Sequence, residues 1–79
     1  MVFNVELDIP HTATPELIKE FAESHGCVAK MIMPEGPGGG NPVYNFSSER
    51  YSYLEELVEQ IYGVGSLDQE TIKTMIWET

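Results

Sequence analysis

The chain has 79 residues and carries 13 acidic side chains against four basic ones, which gives a formal net charge of -9 at pH 7. A chain of this length forms one domain, and its hydrophobic fraction of 42% is sufficient for a single core. The charge excludes direct binding to nucleic acid or to an anionic membrane, and it indicates either a basic partner or simple solubility.

The only cysteine, Cys27, excludes an intrachain disulfide and indicates a reducing compartment, so we expect a cytoplasmic protein. The N-terminal segment alternates polar and apolar residues and lacks a basic region followed by an apolar run. It therefore predicts neither a signal peptide nor a transmembrane helix.

A strand and a helix come first along the chain. Residues 2–9 alternate between apolar and polar side chains, which is typical of a strand with one buried face. Thr14 followed by Pro15 predicts a helix N-terminus, and Gly26 favours a stop. The apolar stripe of this helix comprises Leu17, Ile18, Phe21 and Ala22.

The middle of the chain predicts two strands joined by a loop. Residues 27–33 are apolar on nearly both faces, with Lys30 as the exception, so we expect this strand to be covered or to lie at an interface. Residues 34–42 are rich in glycine and proline and predict a flexible hairpin loop. Residues 43–46 form a short third strand.

Two helices close the chain. The sequence defines the first residue of the longer helix only to within about one turn, because Ser47, Ser48 and Ser52 can each cap it. Gly63 ends this helix. A capping box at Ser66 opens a short terminal helix. The apolar residues are Leu54, Leu57, Val58, Ile61 and Tyr62 in the longer helix and Ile72, Met75 and Ile76 in the terminal one.

The order β-α-β-β-α-α predicts a single compact α+β domain over residues 1–79, with a small three-stranded sheet and helices on one face. A right-handed crossover makes the first two strands parallel. The third strand then fits between them, antiparallel to both, as in part of a ferredoxin-like fold.

No group of residues has the spacing of a catalytic site. The glycine run at 36–40 lacks the lysine of a phosphate loop and precedes a strand instead of a helix. The carboxylates lie on predicted solvent faces, without the apolar pocket that acid–base catalysis requires. We therefore expect no enzymatic activity and no cofactor.

The acidic helical faces are the strongest candidate for a binding surface. Glu55 and Glu59 form an i,i+4 pair of like charges, which costs roughly 0.2–0.5 kcal/mol. Two tyrosines at the entrance of the same helix add rigid contact area, unless Tyr51 packs under the helix start and leaves only Tyr53 exposed. The predicted partner-binding residues are Glu49, Tyr51, Tyr53, Glu55, Glu56 and Glu59, with Glu16, Glu20 and Glu23 of the first helix.

A rigid acidic surface can occupy a groove built for phosphates, because release of counterions drives its binding as it drives that of nucleic acid. Carboxylates on adjacent helical turns, about 6 Å apart, can meet successive basic side chains. In size, charge and single α+β domain the chain resembles the small acidic proteins that phages use against host nucleases, restriction enzymes and CRISPR complexes. That resemblance implies an inhibitor that mimics nucleic acid in the host bacterial cytoplasm, and it assigns no site residue.

Two other interpretations stay open. His25, Cys27, Met31 and Met33 have donor types that suit Cu(I), and the two methionines share the strand parity of the cysteine, which favours a ferredoxin-like metal- or ligand-binding module. More simply, the histidine ends a helix and the methionines fill the core. The unusually apolar second strand favours a homodimeric structural protein that pairs exposed strand edges.

Overall fold

The computed structural model describes residues 1–79, with residue 37 described by its backbone alone. The helices and strands are β1 Phe3–Asp8, α1 Pro15–Ser24, β2 Val28–Met33, β3 Val43–Ser48, α2 Tyr51–Tyr62, α3 Gln69–Met75 and β4 Trp77–Glu78, with a short 3-10 turn at Pro37–Gly39. The strands form one antiparallel sheet in the order β2-β3-β1-β4. The α+β class predicted from the sequence is confirmed.

The centre of the sheet has the predicted arrangement. β3 lies between β1 and β2 and is antiparallel to both, so that β1 and β2 run parallel to each other. Val5 lies opposite Phe46 and Leu7 lies opposite Tyr44, and all four side chains are buried. This row forms the floor of the core, on which the apolar stripes of the three helices pack.

The predicted three-stranded sheet is wrong by one strand. After α3 the chain turns back, and β4 pairs Phe3 with Glu78 and Asn4 with Trp77. The backbone N–H of Thr79 adds a hydrogen bond of 2.9 Å to the carbonyl of Val2. A strand of two residues has no alternation to detect, so only its tertiary pairing defines it.

Helix α1 begins where the sequence predicts. The Thr14 hydroxyl accepts a hydrogen bond of 3.3 Å from the backbone N–H of Leu17, and Pro15 occupies the first turn. The chain leaves the helix at Gly26, where φ is +72°. Leu17 was predicted to join the apolar stripe but is 57% exposed.

None of the three predicted serines caps α2. Arg50 occupies the cap position without a side-chain hydrogen bond. The Ser48 hydroxyl instead donates to the carbonyl of Gly26 (3.1 Å) and accepts from the backbone N–H of Arg50 (3.2 Å). Ser48 still belongs to β3, which is therefore two residues longer than predicted and is joined by this hydroxyl to both neighbouring segments.

The cap of α3 is also different from the prediction. The Asp68 carboxylate, two residues beyond Ser66, accepts a hydrogen bond of 2.7 Å from the backbone N–H of Thr71. Hydrogen bonds from the hydroxyl and the backbone N–H of Thr71 hold the pKa of Asp68 below its usual value. Serine and aspartate are both favourable residues at a helix N-cap, so Ser66 and Asp68 are each compatible with that role. In the structure the helix begins after Asp68, whose carboxylate is therefore the cap.

We expect Asp68→Ala to lower Tm by a few degrees near neutral pH, whereas Ser66→Ala leaves Tm unchanged. Because the folded-state pKa of Asp68 is lowered, its stabilising effect is complete above the ordinary value of about 3.9 and is lost as pH falls through the folded-state value. Thermal melts of both variants near neutral pH and at about pH 2 measure this difference. A larger loss from Ser66→Ala would contradict the assigned cap.

The loop at residues 34–42 closes on itself through glycine backbone atoms. The N–H of Gly36 donates to the carbonyl of Gly40 (3.1 Å), and the N–H of Gly40 donates back (3.3 Å). The 3-10 turn lies between these two residues. The flexibility predicted for this loop stays a prediction.

Candidate functional site

Helix α2 turns its carboxylates away from the sheet. Leu54 and Leu57 are fully buried on the sheet side. Glu56 is exposed on the opposite side, and Glu55 and Glu59 are half-buried along one flank. The helical period therefore separates core and acidic residues as predicted, but it leaves Glu56 as the most accessible of the three acids.

The acids of α1 form a second ridge. Glu16, Glu20 and Glu23 are all exposed and lie opposite the buried Ile18 and Ala22. The first two are one helical turn apart, about 6 Å along the axis. The sole basic residue of this helix is Lys19, and α2 has none.

Both ridges lie on one side of the molecule. α1 packs on β2, while α2 packs on β3 and β1, and both contribute to the same core over the same sheet face. We call this side the acidic helical surface; it comprises Glu16, Glu20 and Glu23 of α1 with Glu55, Glu56 and Glu59 of α2. Glu49, in the turn before α2, is also exposed.

The two predicted tyrosines do not form one patch. Tyr51 is half-buried and packs edge-on against Phe3, with ring centroids 5.7 Å apart. Burial, with the nearby negative charge of Glu55, raises its pKa. Tyr53 lies on another side of α2, packed over Gly26, and the guanidinium of Arg50 lies 5.7 Å from its ring centroid.

Arg50 is a feature that the sequence interpretation missed. It lines a cavity of about 400 Å³ at the start of α2, together with Glu49, Tyr53 and Val28. The guanidinium on the Tyr53 ring places a positive charge in the cavity that Glu49 also lines, at the start of α2. Arginine followed closely by an aromatic residue was the signal available in the sequence.

An apolar groove separates α1 from α2. It has a volume of about 240 Å³ and is lined by Leu17, Phe21 and Ile61, with Phe46 and other apolar residues around them. This groove explains the exposure of Leu17. Glu16 and Glu20 flank that side chain along α1, so the acidic helical surface contains an apolar depression.

The predicted soft-metal donors are divided by the fold. A bulge in β2 sets Met31 opposite Tyr44 and Met33 opposite Val43, so the two methionines point to opposite faces and their predicted common parity is wrong. Val43 and Tyr44 are consecutive residues of β3, and consecutive residues of a strand face opposite sides of the sheet. The two methionines that lie opposite them therefore face opposite sides as well.

The remaining two donors have other partners. The Cys27 thiol is buried, donates to the carbonyl of His25 at 3.5 Å, and has a pKa raised by burial. The His25 ring lies against Phe21, and its Nδ1 is 2.9 Å from that residue's carbonyl oxygen. Within the described part of the chain, no three His, Cys, Asp or Glu side chains are grouped to hold a metal ion.

Comparison of the chain with protein-family models, with curated proteins and with solved structures gives no match. Among the described residues, none of the helices has the length and apolar character needed to cross a membrane.

Proposed function

We propose that the protein is a non-catalytic inhibitor of phage type, whose acidic helical surface binds the basic nucleic-acid-binding surface of a host defence or nucleic-acid-processing protein. The observation that supports this proposal is that the acidic ridges of α1 and α2 lie on the same side of the sheet. Of the six carboxylates on the two helices, those of Glu55 and Glu59 are half-buried and the other four are exposed, and Lys19 is the sole basic residue within these helices.

The physical mechanism is competition for the partner's cations. A groove that binds nucleic acid is lined by lysine and arginine side chains. Counterions are condensed around the phosphates of the free nucleic acid, and association with the groove releases them. A rigid row of carboxylates has the same effect without base pairs or sugars. Binding therefore weakens steeply with salt, and DNA or RNA competes for the same surface.

We expect the triple variant Glu55→Lys, Glu56→Lys and Glu59→Lys to keep its fold and lose partner binding. The change replaces three acids by three bases, which moves the net charge from -9 to -3 (-9 + 6 = -3). Reversal also converts the attraction for a basic groove into repulsion at the centre of the contact. The matched control carries Glu6→Lys, Asp8→Lys and Glu78→Lys, which reach the same net charge through exposed positions on the strands.

The measurement is affinity capture from a bacterial lysate at about 50 mM salt, followed by a salt gradient and mass spectrometry of the eluted proteins. The native chain and the strand control are expected to retain one nucleic-acid-handling protein that added DNA or RNA displaces. Circular dichroism verifies that each variant is folded. Equal loss in both variants would assign binding to net charge alone, and full binding by the folded α2 variant would contradict the proposed surface.

A further inference from the structure

The free edge of β2 is the longest exposed strand edge of the sheet. β2 ends the strand order and pairs with β3 on one side, so the backbone groups on its other side have no strand partner among the described residues. Five of its six residues are exposed, and only Ala29 is half-buried. The opposite edge is formed by the two-residue β4 and by residues 5–8 of β1, which β4 does not cover.

This edge carries apolar side chains where edge strands usually carry charge. Val28 is 65% exposed and Ile32 is 43% exposed, and Met31 and Met33 are each 39% exposed. Natural proteins protect free edges with charges, proline, bulges or short strands. β2 has one charge, Lys30, and one bulge, which is little protection for six residues.

The distribution of charge along the chain favours a second copy of the protein as the partner of the β2 edge. Residues 24–34 contain one lysine and no acid, whereas the rest of the chain carries 13 acids and three bases, a net charge of -10. A contact along this segment brings no carboxylate of the segment itself against the other copy. Glu23 and Glu35 lie beyond the two ends of β2, so an antiparallel pairing centred on this strand sets mainly apolar residues of one copy opposite those of the other.

We propose that the protein forms a homodimer in which the two β2 strands pair antiparallel about a two-fold axis, joining two four-stranded sheets into one of eight strands. The axis of such a pairing stands perpendicular to the sheet, so the helices of both copies lie on the same face. The dimer therefore presents two acidic helical surfaces side by side. Because a two-fold contact uses the same β2 edge of both copies, the assembly closes at two copies and does not extend into a fibre.

The mass of the protein in solution tests this assembly. Sedimentation equilibrium from micromolar to submillimolar concentration is expected to show a mass that rises from 8.9 kDa towards twice that value. Salt is expected to favour the dimer, because at about 0.5 M it screens the repulsion between two chains of charge -9. This is opposite to the salt dependence of binding to a basic partner, so failure of the dimer and failure of the proposed function are distinguishable.

Two variants and one local measurement locate the contact. Ile32→Lys adds a second cation to each edge and is expected to remain monomeric throughout, while Val64→Lys makes the same replacement at a residue 77% exposed in the turn after α2 and is expected to dimerise like the native chain. Hydrogen exchange is expected to slow at the backbone amides of β2 in the dimer. A native chain that stays monomeric at submillimolar concentration would overturn the proposal, and so would a dimer without this protection.

Discussion

Replacing Phe46 by alanine is expected to lower the free energy of unfolding by about 3–5 kcal/mol, the largest effect of any single substitution considered. The side chain is fully buried at the centre of the sheet, opposite Val5. It also borders the apolar groove between α1 and α2, so its removal enlarges a space that already exists. A domain of 79 residues has roughly 4–12 kcal/mol in total, and the loss is therefore a large part of its stability.

Urea unfolding followed by circular dichroism measures this loss. Val64→Ala is the control, because that side chain is 77% exposed and its truncation is expected to change the free energy of unfolding by less than about 0.5 kcal/mol. If Phe46→Ala lost less than about 1 kcal/mol, the groove would have collapsed around the smaller side chain, and the packing described for the central strands would be wrong.

Replacing Gly26 by alanine is expected to lower the free energy of unfolding by about 2–4 kcal/mol. Its φ of +72° lies in the left-handed region, which costs a residue with a side chain about 1–2 kcal/mol. The added Cβ would also come within 2.5 Å of Cδ2 of Tyr53, so this partly exposed ring has to move, at a further cost of about 1–2 kcal/mol.

Gly39→Ala separates the two contributions to this loss. Its φ of +79° is similar, but a Cβ there meets nothing within 4 Å, so only the conformational cost of about 1–2 kcal/mol is expected. Adding Tyr53→Ala to the Gly26 variant is expected to recover the steric part. Equal losses at the two glycines would show that the tyrosine ring does not pack over Gly26.

Several features of the fold were predictable because they depend on neighbouring residues. The start of α1 at Thr14 and the end of α2 at Gly63 follow from local hydrogen bonding and backbone preference. The parallel direction of β1 and β2, with β3 between them, agrees with the helical crossover that joins the first two strands. These rules act within a few residues or on the chain's chirality, so they hold without knowledge of the packing.

The errors occur where distant segments decide between local alternatives. Ser48 has the chemistry of a helix cap, but β3 and the turn at Gly26 hold its hydroxyl in another role. Asp68 replaces Ser66 as the cap of α3 for a similar reason. The bulge in β2 that separates Met31 from Met33 depends on the register against β3, which no pattern within β2 specifies.

For the candidate site, the amino-acid sequence by itself determined the amount of negative charge and its position opposite each apolar stripe, since both follow from composition and helical period. Only the tertiary structure decided that the ridges of α1 and α2 share one side, that Tyr51 and Tyr53 are apart, and that β2 ends the sheet with an exposed apolar edge. The physical reason is that helical and strand periods act over a few residues, whereas the choice of neighbours depends on how the whole set of apolar faces is buried at once.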